Sequence, residues 1–333
     1  MSRNLQTRLF GISMMEATFE RRGFPECASG PRQRLESIGY TFLIGYHAAL
    51  QAASMPELQA ALENVEGERR GFAYEGAAMA IGLLDRLTPW RRNRFERFVA
   101  GPAFHHQYMA YVGFGWALAR LRRAPGRILR SMDPLIRWLA LDGYGFHECY
   151  FYWKRVIQDQ HVPGRLTGYE RNAFDQGVGR CLWFVSGADP DRLAHTIAHF
   201  DEARRSDLWS GAGLACAYAG GVSDDVLLRL GDLGARYRPE IAQGILFATE
   251  TRIEAGNMCS HTERACRLLC DMTIEQASAI VNNERRKLVH GASRPAYEQW
   301  RRGIQACFHG AGTSADRMGS VASVRDLTDS RSI

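Results

Sequence analysis

At 333 residues, with 46% apolar and 23% charged residues, the chain can bury a large core and is neither disordered nor fibrous in composition. Its net charge of +6 is carried almost wholly by arginine, Lys154 and Lys287 being the only lysines, and no nucleic-acid module accompanies it, so no nucleic-acid partner is expected. No signal-peptide core follows Met1 and no apolar run approaches the roughly 18 residues of a membrane span, which predicts a cytoplasmic protein with eight reduced cysteines.

In chain order, residues 1–35 read as an N-terminal segment, with Arg21-Arg22-Gly23-Phe24-Pro25 ending the helix before it. From 36 to 310 a glycine-bearing pattern recurs. Its copies are Ile44-Gly45-Tyr46-His47, Glu75-Gly76-Ala77-Ala78, Val112-Gly113-Phe114-Gly115, Asp142-Gly143-Tyr144-Gly145, Gln176-Gly177-Val178-Gly179, Ser210-Gly211-Ala212-Gly213 and Gln243-Gly244-Ile245-Leu246. The lead glycines at 45, 76, 113, 143, 177, 211 and 244 are 31, 37, 30, 34, 34 and 33 residues apart. Spacing of that size suits a helix–turn–helix unit. The expected fold is all-α, with tandem helical-hairpin repeats of about 33 residues forming a superhelical or toroidal array.

Between these copies lie amphipathic stretches expected to be helices: Met55–Val65, Trp90–Val99, Pro134–Leu141, Pro190–Phe200 and Asp224–Leu233. Ser54, Asp133, Asp189 and Ser223 stand where helix-starting caps belong. A last helix is expected over Arg294–Phe308, and the Ser/Gly/Asp-rich tail 311–333 reads as disordered.

Aligning the copies separates two columns of interest. The lead position and the one four residues on are small, a stripe on which a neighbouring helix should approach closely. The position before the lead glycine is often polar (Glu75, Asp142, Gln176, Ser210, Gln243), and one turn later stand Met79, Phe146, Arg180, Leu214 and Phe247. Stacked, these would form an apolar strip with spaced polar groups, as a ligand-lining wall has. Glu75, Asp142, His147 and Asp175 are the candidate catalytic residues, since a carboxyl in an apolar groove has a raised pKa and can move protons. Phe146, Gln176, Arg180, Trp209, Gln243 and Phe247 are the candidate ligand contacts. The competing reading is structural: the polar groups bond a neighbouring backbone or an arginine such as Arg137, Arg171 or Arg205.

His195 and His199 share a helix face, but no third ligand is fixed by spacing, so no metal is expected; no cofactor is implied either. The G-x-G pairs lack a preceding strand and a third glycine, which excludes a dinucleotide fingerprint. The aspartate-rich diphosphate motifs of terpene cyclases are missing as well.

Phe72-Ala73-Tyr74-Glu75-Gly76-Ala77-Ala78-Met79-Ala80 and Val112-Gly113-Phe114-Gly115-Trp116-Ala117-Leu118-Ala119-Arg120 resemble the bacterial family of unknown function called DUF1702, or UnbL-like. So do Leu141–Phe151, Phe174-Asp175-Gln176-Gly177-Val178-Gly179-Arg180, Asp207-Leu208-Trp209-Ser210-Gly211 and Ala242-Gln243-Gly244, and the likeness spans roughly residues 10 to 310. Cys149 departs from it, standing where the family pattern is expected to have glycine. The resemblance implies a place in enediyne biosynthesis, beside an iterative polyene-making polyketide synthase. It also implies UnbV-like and UnbU-like partners, the latter a membrane protein that would bring this chain to a membrane only peripherally. The implied role is processing or binding of a long, apolar conjugated polyene. The rival is a non-catalytic scaffold docking pathway proteins; a closed apolar cavity reaching the carboxylates would favour the first, an open polar face the second.

Overall fold

Each of the seven glycine-bearing segments lies within a long helix. These are α1 Ser29–Gln51, α2 Gly67–Leu87, α3 Gln107–Arg120, α4 Leu139–Gln158, α5 Glu170–Val185, α6 Glu202–Ala219 and α7 Arg238–Glu254. The computed structural model describes residues 3–87, 93–289 and 293–309, and every regular element among them is helical. The seven pack in chain order, each against the next. Shorter amphipathic helices fill the intervals, among them Met55–Glu63, Arg94–Ala100, Pro190–Ala198, Asp224–Leu233 and Ser260–Cys270, and the last three pack on one another in sequence. The last helices among the described residues are Ile274–Arg286 and Ala296–Ala306.

Local chemistry sets several boundaries. Gly23 ends Phe19–Arg22 in the left-handed conformation, φ 62°. Ser54 accepts from the Glu57 amide and Asp189 from those of Asp191 and Arg192, each with proline in the first turn. Two expectations fail here. Ser223 makes no side-chain cap bond, although Asp224–Leu233 forms as expected. Pro134–Leu141 is not a separate helix: Asp133 accepts from the Leu135 and Ile136 amides and fixes only one turn, Ile136–Trp138, which runs straight into α4. α1 begins at Ser29, inside the stretch 1–35 read from sequence as the N-terminal segment. The expected helix start at Trp90 and the tail 311–333 lie outside the described residues.

The glycines explain the packing order. A Cβ on Gly113 would collide with the main-chain oxygen of Glu75, one on Gly143 with that of Val112, and one on Gly177 with that of Asp142. Gly211 meets Gln176 and Gly244 meets Ser210 in the same way. In each case a lead glycine faces the carbonyl just before the lead position of the preceding helix. The second glycine of each G-x-G does the reverse: Gly115, Gly145, Gly179 and Gly213 abut the carbonyls of Ala140, Phe174, Leu208 and Ile241 on the following helix. Two residues along a helix turn about 200°, so G-x-G clears both flanks and lets one helix nest between two neighbours.

This contact corrects the alignment of the first copy. Gly45 meets the Ala73 carbonyl and Gly76 meets that of Phe42. Gly45 is therefore the second glycine of its unit. Leu43 holds the lead position, and Phe42 stands where the other helices carry Glu75, Asp142 or Gln176.

The two ends of the row are tied together. Arg34 Nε of α1 donates to the Ala219 carbonyl at 2.8 Å, and Arg252 of α7 donates to the Glu68 carbonyl at 2.7 Å and the Tyr218 carbonyl at 2.7 Å. Asn257 Nδ2 donates to the Gly67 carbonyl at 2.9 Å. These bonds join α1 to the end of α6 and the segment after α7 to the start of α2. Among the described residues no helix is long and apolar enough to cross a membrane.

Candidate functional site: the inner face of the long helices

The interior is lined by the residue before each lead position and the residue one turn after it. In the first half of the row these line a narrow apolar pocket that is open at its mouth. Phe42, Phe72, Trp116, Phe146 and Phe184 form its aromatic walls with Met79 beside them, and Glu75 and Arg180 reach it as polar groups. A second apolar space, lined by Val112, Leu139, Leu214 and Tyr218, adjoins it, with Phe72, Arg180 and Phe184 common to both and Asp142 on the far side.

The polar groups form one cluster. Arg180 pairs with Asp142 and stands 3.9 Å from Glu75. Trp116 Nε1 donates to Glu75 Oε1 at 3.0 Å, and Gln176 Nε2 donates to Asp142 Oδ2 at 2.8 Å. The Arg180 guanidinium lies over the Phe146 ring, 5.1 Å from its centroid. Two buried carboxyls share one guanidinium, so one has no full counter-charge. Burial pushes Glu75 up from the ordinary 4.5 to about 7; Asp142 adds to the rise, while Arg180 and the Trp116 hydrogen bond oppose it. Glu75 thus exchanges its proton near neutrality inside an aromatic cavity.

Further along the row the same face is filled by the protein itself. The helix Ala296–Ala306 lies against α7 and Ile274–Arg286. Its Tyr297 hydroxyl accepts from Gln176 Nε2 at 2.9 Å. Arg301 Nε donates to Gln243 Oε1 at 3.1 Å, and its Nη1 pairs with Asp207 at 2.7 Å. Gln243 Oε1 also accepts from the Ser210 hydroxyl at 2.7 Å. Phe247 packs between Tyr297 and Trp300, with centroids at 5.8 and 4.6 Å.

The residues expected from sequence therefore divide. Glu75, Asp142, Phe146, Gln176 and Arg180 come together. Gln243 and Phe247 share the inner face but are covered by Ala296–Ala306. Trp209 is buried elsewhere, stacked on Tyr237 at 6.1 Å. Asp175 points to another seam, where Arg204 grips it with two bonds at 2.9 and 2.5 Å; burial pushes its carboxyl up to about 6 against that pull. His147 lies edge-on to Trp116, ring centroids 5.6 Å apart, and opens to a separate cleft. Arginines do partner the aspartates, but they are Arg180 and Arg204 rather than Arg137, Arg171 or Arg205.

Trp116 and Phe42 are the contacts that the alignment passed over. Trp116 occupies the column of Met79, Phe146 and Arg180, but apolar Val112 precedes its glycine, so no polar residue flagged that copy. His195 and His199 touch at 4.4 Å between ring centroids on an exposed surface, and among the described residues no three of His, Cys, Asp or Glu gather as a metal would need.

Residues 1–308 match the family model described as "Protein of unknown function (DUF1702)". No curated protein and no solved structure matches the chain.

Proposed function

The chain belongs to the DUF1702 family, whose description assigns no activity, and we propose that its aromatic inner cavity binds a long, flat, apolar metabolite, a conjugated polyene of polyketide origin. The observation that carries this reading is the cavity itself: an aromatic enclosure with one titrating carboxyl and few other polar groups. Such a wall stabilises a bound chain by about 25 cal/mol per Å² of apolar surface covered, while the polar groups fix its position. Within the reading Glu75 is the group that gives or takes a proton, and the Asp142–Arg180 pair holds the electrostatic frame around it. The placement in an enediyne-type pathway, with UnbV-like and UnbU-like partners, is part of this proposal and is supported by the family resemblance.

A scaffold would present an open polar face to partner proteins. Here part of that face is covered by Ala296–Ala306 and the rest is apolar and recessed, which favours the ligand binder. The test is a fluorescence titration of the full chain with a conjugated tetraene fatty acid. Saturable binding is expected, weakened by Met79→Trp, which fills the cavity. Absence of binding, or equal binding by the filled variant, overturns the reading.

A further inference from the structure

We propose that a cationic cleft between the end of α3, the second half of α4 and the loop 159–165 is a binding site for a phosphate or diphosphate ester. The cleft spans about 900 Å³ with the open solvent at its mouth included, and carries Arg120, Arg122, Arg155 and Arg165 around His147 and Glu148. Arg155 is neutralised by Glu148 at 3.1 Å. The side chains of Arg120, Arg122 and Arg165 make no hydrogen bond or ion pair among the described residues. Three unpaired guanidiniums therefore face one concavity, and among the described residues no carboxylate pairs with any of them.

A second observation points the same way. His147 is 4% exposed and lines this cleft, yet its Nδ1 has no hydrogen-bond partner; the nearest carboxylate oxygen, Glu148 Oε1, is 3.5 Å away. That nitrogen is sealed beside Glu148, whose other oxygen holds Arg155, so the one carboxylate lining the cleft is already engaged and adds nothing to offset the three arginines. Arg120 at the C-terminus of α3, with Arg122 just beyond it, complements that helix's dipole, but Arg165 stands in a loop and has no helix end to serve.

The charge count selects the ligand. A single carboxylate would leave the excess of three largely uncompensated, whereas a phosphate monoester carries about two negative charges and offers three acceptor oxygens to guanidinium forks. Phe151 lines both this cleft and the apolar cavity, so its ring is the wall between them. The two sites are distinct, and phosphate capture does not rest on the polyene reading.

Soluble phosphate esters and phospholipid headgroups carry the same chemistry, so the test has two arms. The full chain is titrated calorimetrically with inorganic pyrophosphate and, separately, sedimented with phosphatidic acid vesicles, using the wild type and the double variant Arg122→Gln/Arg165→Gln. Both substitutions lie on the surface, and unchanged thermal melting verifies the fold. Saturable binding in either arm, weakened roughly tenfold or more in the double variant, supports the site, and the arm that responds names the source. No binding in either arm, or equal binding by wild type and variant, overturns it.

Discussion

The two halves of the inner face are built from equivalent positions and end in opposite states. In the first half Phe42, Glu75, Trp116, Phe146 and Arg180 border space. In the second, Gln243 and Phe247 border Arg301, Tyr297 and Trp300 of the chain's own helix. The difference is one of charge matching. Arg301 brings a cation to Asp207 and a donor to Gln243, so the filled half is balanced. The open half holds two carboxyls and one guanidinium and stays one proton short of balance. A face whose charges are paired is core; the same face left under-compensated in charge is a site.

The largest effect should come from a feature the halves share. If both depend on the same glycine contact, Gly113→Leu in the open half and Gly211→Leu in the filled half should be equally damaging. The obstacle is a main-chain carbonyl, which cannot rotate away as a side chain can. The cost should therefore exceed the roughly 1–3 kcal/mol usual for overpacking. Thermal melting or loss of folded protein reads this out, and tolerance in one half only would show that the two are not built alike.

That contact was also the most legible feature of the sequence. Glycine is the one residue that fits such an approach, so its spacing marked every long helix. The register of the first copy was not legible, because Leu43 occupies the lead position and Gly45 had to be taken for it. The destination of Ala296–Ala306 was hidden for a different reason. Its bonds reach Gln176 and Gln243, 121 and 58 residues away, and no local pattern encodes such a partner. The candidate carboxylates could be picked out as polar residues in apolar helices. Which of them share one arginine depended on how the helices face one another, and so His147 and Asp175 were grouped with Glu75 although they serve other surfaces.

Arg301→Met is expected to cost about 3 kcal/mol, since it removes one partner of a buried ion pair and leaves Asp207 uncompensated. Denaturant unfolding measures it. The converse change in the open half should behave differently: Glu75→Gln removes a charge that lacks a full partner. The folded-state pKa of Glu75 is raised, so the folded protein holds a proton more firmly than the unfolded chain does. Its contribution is fully present below about 4.5 and is lost as pH rises through about 7. Wild-type stability should fall across that window by at most about 3 kcal/mol on account of Glu75. Glu75→Gln should flatten this part of the profile. An unchanged slope would mean that Glu75 is ionised throughout and that the open half is balanced after all.

The smallest effect sharpens the comparison most. Trp116 Nε1 is the neutral donor that holds Glu75, and its bond favours the ionised carboxylate. Trp116→Phe keeps an aromatic ring in the wall and deletes that donor, at a cost of about 1 kcal/mol when Glu75 is charged. The folded-state pKa of Glu75 should then rise above about 7, while the unfolded value stays put. The stability loss on raising pH should accordingly end at a higher pH than in the wild type, with the two proteins closest in stability in acid, where Glu75 is protonated in both. Melting temperatures measured from pH 4 to 9 separate this from a packing defect, because a loss of packing would lower the whole profile evenly. A displaced upper limit assigns Trp116 to the tuning of Glu75, and a uniform drop returns it to the wall as an aromatic side chain and nothing more.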